Sequence, residues 1–167
     1  MTEPMTEPMT VPMTVPTPPT ADATPLPRDT RRALPMVLLR AREAVMARYR
    51  PLLAAHDINE QQWRVLRVLD EGGQMDAAEV AARAAILAPS LTRMIRAMTD
   101  RGLITRRKDR ADGRRVLLAL APAGAALIAR VSPEGQKISR SLAAQYGEER
   151  LAELLALLEA LTDLREG

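Results

Sequence analysis

The chain of 167 residues contains no cysteine and no phenylalanine, one histidine and one tryptophan. Without cysteine there is no disulfide framework, no thiolate zinc site and no thiol redox sensor. A single histidine argues against a multi-histidine metal centre. Aromatic residues make up only 2% of a chain that is 47% apolar. Leucine, alanine, valine and methionine therefore have to fill the core, which suits helix-on-helix packing better than a sandwich. No run approaches the roughly 18 apolar residues of a membrane span. The N-terminus lacks the basic start and apolar centre of a secretory signal, so the expected location is the cytoplasm. No nucleophile–base pair, phosphate-binding glycine loop or metal cluster stands out, so neither enzymatic activity nor a cofactor is expected.

What is present is unevenly distributed. Residues 1–16 are four tetrapeptides of the form Met-Thr-X-Pro, and Pro18, Pro19, Pro25 and Pro27 follow. Proline at every fourth position blocks a helix and leaves no apolar face, so residues 1–32 read as a disordered tail. A proline-rich docking motif is the functional alternative.

Between Arg83 and Arg115 stand ten basic residues against Asp100, Asp109 and Asp112, in a chain whose net charge is only +3. A basic segment on an otherwise mildly acidic protein is an electrostatic footprint for a polyanion. The order of its parts makes it more specific. Asp76, with Glu79 three residues on, caps a short helix to about Arg83. A short connection leads to a second helix, Pro89 to Arg101, with proline in its first turn. On that helix Leu91, Met94, Ile95 and Met98 share one face, while Ser90, Thr92, Arg93 and Arg96 face outward. Gly102 ends it. Two β-prone runs, Leu103–Lys108 and Arg115–Leu120, then flank the turn signal Asp112-Gly113.

This is the pattern of a winged helix-turn-helix. The outward hydroxyls approach bases or phosphates, Arg93 addresses a guanine edge in the major groove, and Arg106, Arg107 and Arg115 suit phosphates. Arg110 and Arg114 at the wing tip suit a minor groove. Asp112, odd in such a loop, is expected to aim Arg114 or Arg106 by a charge-assisted hydrogen bond.

Upstream, Leu38, Arg42, Val45, Tyr49 and Leu52 fall on one face of a helix over about 33–55, which Pro51 kinks or ends. Arg42 within an apolar stripe needs a partner. Either it pairs with Glu43 or a carboxylate of another helix, or snorkels outward, or it receives a ligand carboxylate. His56 in the following loop is a surface or capping residue, or a ligand contact. Asn59 with Gln62 caps the next helix, Glu60–Asp70, which Gly72 and Gly73 end. Its Trp63 is a core anchor or a ligand platform.

Several of these stretches resemble one family. Asp112-x-Arg114 followed by Leu120-Ala-Pro-Ala-Gly124 is similar to the wing signature of MarR-family regulators. Pro89-Ser-Leu-Thr-Arg93 and Arg101-Gly-Leu-Ile-Thr-Arg106 resemble its recognition helix and first wing strand. The resemblance spans about 33–165. Ala121 replaces the family's usual threonine, which removes a helix cap and is expected to fray the next helix. More narrowly, Ala41-Arg-Glu-Ala44, Tyr49-Arg-Pro51, Glu60-Gln-Gln-Trp-Arg64 and Ile86-Leu-Ala-Pro-Ser-Leu91 resemble the subgroup repressing homoprotocatechuate degradation. That similarity implies an aromatic acid as inducer, with Arg42 pairing its carboxylate and Trp63 receiving its ring, in a pocket between dimer helices and reading unit.

Toward the C-terminus, Ser132-Pro133-Glu134-Gly135 interrupts a helix begun at Pro122, so a kink or a restart capped by Ser132 is expected. Glu148–Leu164 is strongly amphipathic, with Leu151, Leu154, Leu155, Leu158 and Leu161 in one stripe, too apolar for a small fold to cover unaided. A second copy would cover it, and a two-fold dimer reads a pseudo-palindrome. The expected fold is mainly α with a small β-hairpin wing. Its winged helix-turn-helix unit, 59–121, is flanked by dimerisation helices at 33–58 and 122–165. The expected function is a homodimeric repressor that binds double-stranded DNA and is released by a small aromatic acid, with no membrane partner. A ligand-independent or architectural DNA-binding protein, and a winged helix used for protein contacts, are the alternatives.

Overall fold

The computed structural model describes residues 29–109 and 115–164. The tail reading up to residue 28 and the wing-tip residues Arg110, Asp112 and Arg114 lie outside the described residues. The chain divides into two units, 1–39 and 40–167. In the first, the Asp29 carboxylate caps a short 3-10 turn, Thr30–Arg32. Helix α1, Leu34–Ala54, starts there and runs on into the second unit, where it ends three residues after Pro51.

The second unit continues with α2 (Glu60–Gly72), β1 (Met75–Asp76), α3 (Ala77–Arg83), α4 (Ala88–Asp100), β2 (Ile104–Lys108), β3 (Val116–Leu120), α5 (Pro122–Tyr146) and α6 (Glu148–Thr162). Local chemistry sets most of these limits. Asn59 accepts from the Gln62 amide at 2.9 Å and Gln62 accepts from the Asn59 amide at 3.0 Å, a complete capping box. Asn59→Ala should lower unfolding free energy by about 1 kcal/mol in a denaturant titration. Gly73 and Gly102, at φ +70° and +67°, supply the left-handed residues that end α2 and follow α4.

The strands form a three-stranded antiparallel sheet in the order β1-β3-β2. The hairpin is as expected, each strand one residue shorter, with Ile104 opposite Leu120 and Lys108 opposite Val116. β1 was not expected. Two residues carry no periodicity, and Met75 and Asp76 become a strand only by pairing with Leu118 and Leu117. The core joins Val65, Leu66 and Leu69 of α2, Leu91 and Met98 of α4, Ile104 and Leu118 of the sheet, and Leu127 and Val131 of α5.

The restart expected at Pro133 is absent: α5 is one helix from Pro122 to Tyr146, and Ser132 does not cap a new one. Pro133 removes one ladder hydrogen bond. Burial of Gly124, Leu127, Ile128 and Val131 before it, and the Glu134–Lys137 pair at 2.6 Å after it, hold both sides in helix. The start of α5 is likewise regular without a side-chain cap, because Ala121 is buried and its amide donates to the Leu103 carbonyl at 3.1 Å. No helix among the described residues is long and apolar enough to cross a membrane.

Candidate nucleic-acid interface and cavity

Helix α4 is divided as its sequence implies. Leu91, Met94, Ile95 and Met98 are buried, and Thr92, Arg93 and Arg96 are exposed, with Ser90 half-buried. Arg93 and Arg96 make no hydrogen bond or ion pair with any described residue, so both guanidiniums point out of the fold uncommitted. Thr92 differs from expectation in one respect. Its hydroxyl proton is donated to the Ala88 carbonyl at 3.0 Å, which leaves only acceptor capacity toward a ligand.

The remaining basic residues separate by what holds them. Arg83 pairs with Glu79 at 2.9 Å, and Arg101 donates to the Asp57 carbonyl at 2.7 Å, so both support the fold. On β2, Arg106 and Arg107 are exposed on alternate faces, and Arg107 is fixed by the Gln74 side chain at 2.6 Å. Arg115 is exposed, 4.0 Å from Asp76, and its carbonyl accepts from the Asp109 amide at 3.0 Å, closing the described base of the wing. Lys108 and the arginines of α4 and β2 thus place exposed positive charge on consecutive elements of a helix-turn-helix and its wing.

Behind this unit, α1 and α2 enclose a cavity of about 260 Å³ lined by Arg42, Met46, Tyr49, Leu53, Glu60, Trp63 and Arg64. A neighbouring hollow of about 390 Å³ shares Leu53 and Glu60 and adds Arg50, Ala54, Ile58, Asn59 and Gln61. Trp63 packs on the core and also lines the cavity. His56 is half-buried beyond the end of α1 and is not among the residues that line these two hollows.

A MarR-family profile matches residues 56–115. The homoprotocatechuate degradative operon repressor of Escherichia coli is 39% identical over 127 residues, which are 76% of this chain and 86% of the relative. This chain belongs to the MarR family. Its fold is also that of NadR crystallised with 4-hydroxyphenylacetate, at 33% identity and a TM-score of 0.72 over 83% of this chain and 98% of NadR. The transcriptional repressor CouR bound to a 23-mer DNA duplex is 27% identical, with a TM-score of 0.71 over 77% of this chain and 92% of CouR. The chain is thus a MarR-type DNA-binding regulator and not an enzyme.

In this MarR-family protein, Arg42 has the partners that its place in an apolar stripe calls for, Glu43 and a carboxylate of another helix. It donates to Glu43 at 2.7 Å and to Glu60, while Arg50 donates to Glu43 at 2.5 Å and to Glu60 at 2.6 Å. The four side chains close a ring between α1 and the first residue of α2. Burial pushes the Glu60 carboxyl up, but hydrogen bonds from Arg50 and Arg42 outweigh it and hold the carboxyl below its usual range. The hydrogen bonds to Glu43 and Glu60 raise Arg50 in turn. Three members are nearly half exposed, so solvent screens each pair and the ring orients its side chains more than it stabilises the fold. Glu43 and Arg50, seven residues apart on one helix, were a sequence signal for this ring; Glu60 joins it only through the fold.

Arg64 was missed altogether. Its Nη1 donates to the Ala85 carbonyl at 3.3 Å, and its Nε is enclosed without a partner. Ala85 lies in the turn between α3 and α4, at φ +49°.

Proposed function

We propose that the protein is a homodimeric cytoplasmic repressor of an aromatic-acid catabolic operon, and that a small aromatic carboxylate releases it from DNA. In this reading α4 enters the major groove through Arg93 and Arg96, with Ser90 and Thr92 at the near edge of the bases. Arg106, Arg107 and Arg115 lie along phosphates, and the wing tip with Arg110, Asp112 and Arg114 follows the minor groove.

The observation that carries the effector half is the cavity between α1 and α2. A tryptophan and aliphatic side chains form its apolar wall, and two arginines stand on it, the arrangement that an aromatic ring bearing a carboxylate requires. The relatives support the class, since one represses homoprotocatechuate degradation and another was crystallised with 4-hydroxyphenylacetate. The dimer is supported by α6. None of its residues is buried in the protomer, and Leu154 and Leu155, on the stripe predicted for a second copy, are exposed.

Mobility-shift assays on the protein's own promoter test the whole reading. Hydroxylated phenylacetates, benzoates and cinnamates are added in parallel with fluorescence of Trp63, the sole tryptophan. At least one acid should both change the fluorescence and free the DNA. Operator binding indifferent to every acid would leave a ligand-independent regulator instead. Sedimentation should give twice the 18.3 kDa protomer mass.

A further inference from the structure

The two arginines on the cavity wall differ in their commitments. Arg42 already serves two carboxylates, and the ring that it forms with Glu43, Arg50 and Glu60 contains two positive and two negative charges. That ring is neutral, and an entering anion would meet Glu60 beside Arg42. Arg64 has no carboxylate partner among the described residues. Its single bond, to the Ala85 carbonyl, lies at 3.3 Å, the long end of the N–H···O range, and its enclosed Nε has no acceptor. The cavity wall and its ring therefore carry one unmatched positive charge, and it belongs to Arg64.

We propose that Arg64 anchors the effector carboxylate, and that it couples the cavity to the DNA-reading unit because the same guanidinium holds the turn before α4. The proposal rests on the aromatic-acid reading above. A carboxylate competes well against a neutral carbonyl for a guanidinium, because charge-assisted hydrogen bonds are roughly twice as strong. A guanidinium drawn toward the effector gives up the Ala85 carbonyl. Ala85 sits in the left-handed region, which a residue with a Cβ adopts at a cost, so its conformation depends on the contacts that fix it. Releasing that carbonyl frees the turn joining α3 to α4 and changes how α4 is presented. One unmatched positive charge also selects a monoanion, so an aromatic monocarboxylate is the fitting class and a dicarboxylate is not.

The test compares 4-hydroxyphenylacetate with 4-hydroxyphenylacetamide, which keeps the ring and loses the charge, by Trp63 fluorescence in wild type, Arg64→Met and Arg42→Met. The ratio of acid to amide affinity within one variant cancels general damage to the cavity. Wild type should favour the acid by about 30-fold, as a charge-assisted hydrogen bond implies. Arg64→Met should bring the ratio close to one and abolish release of DNA by the acid. Arg42→Met should leave the ratio within about five-fold of wild type. Should Arg64→Met not fold, Arg64→Gln decides in its place, because it keeps a polar hydrogen-bonding side chain at that position but carries no charge. A ratio preserved in the Arg64 variants, or lost only in Arg42→Met, overturns the anchor. Equal binding of acid and amide by wild type overturns the anchor and leaves the aromatic cavity standing. If wild type responds to neither, nor to any acid of the wider panel, the aromatic-acid reading falls and the anchor with it.

Discussion

Replacing Gly124 with alanine should destabilise the protein by about 3 kcal/mol, the upper range for forcing atoms into a packed core. A Cβ at this position would lie 2.2 Å from the Leu103 carbonyl oxygen and 2.8 Å from Leu120 Cδ1. The first is backbone and cannot swing aside. Leu103 precedes β2 and Leu120 ends β3, so the first turn of α5 is seated directly against the base of the wing. The Ala121 amide donates to the same Leu103 carbonyl at 3.1 Å, which fixes the approach from the other side. For a chain of this size the melting temperature should fall by roughly 6–12 °C. Gly102→Ala is the contrast. Nothing lies within 4 Å of its Cβ, and only φ +67° resists substitution, so the cost should be about 1 kcal/mol. Equal losses in thermal melts of the two variants would mean that close packing of α5 on the wing is not what requires glycine at 124.

Arg93→Ala should weaken operator binding by about 10- to 100-fold while affecting random DNA much less, the signature of a lost base contact worth about 1–3 kcal/mol. Arg93 is suited to this because α4 buries its opposite face through Leu91, Met94, Ile95 and Met98, leaving the guanidinium outward and unpaired among the described residues. Arg106→Ala should weaken operator and random DNA alike and reduce the slope of log affinity against log salt by about one unit. Arg101→Ala should act on stability instead, since its guanidinium holds the Asp57 carbonyl. Competition binding at two or more salt concentrations separates the three. Equal losses on operator and random DNA for Arg93→Ala would assign that residue to phosphate.

These contrasts qualify the arginine-rich segment as a sequence feature. Ten basic residues within 83–115 identify a polyanion-binding region, but they are not ten equivalent contacts. Arg83, Arg101 and Arg107 are held by the protein's own groups, and Arg93 and Arg96 are left available. The same selection operates in the cavity. Arg42 stands out in the sequence as a charge in an apolar stripe, yet the fold supplies it with Glu60 across the α1–α2 gap. Arg64 looks ordinary in the sequence, yet it faces the cavity without an acidic partner among the described residues.

What the sequence alone determined is what depends on neighbours along the chain. The buried face of α4 follows from a period of three and four residues. The capping box at Asn59 closes over three residues, and the left-handed glycines at 73 and 102 stop helices without help from elsewhere. The winged helix-turn-helix was legible because its order of helix, turn, helix and hairpin is itself a sequence. The tertiary structure alone decided whatever joins distant residues. It makes a strand of Met75 and Asp76 by pairing them with β3, carries α5 through Pro133 by burying its earlier turns, and seats Gly124 on Leu103. It also neutralises Arg42 with Glu60 and ties Arg64 to the turn at Ala85. Each is a contact whose partner lies many residues away, and a residue's charge or shape states what it needs without stating which distant group supplies it.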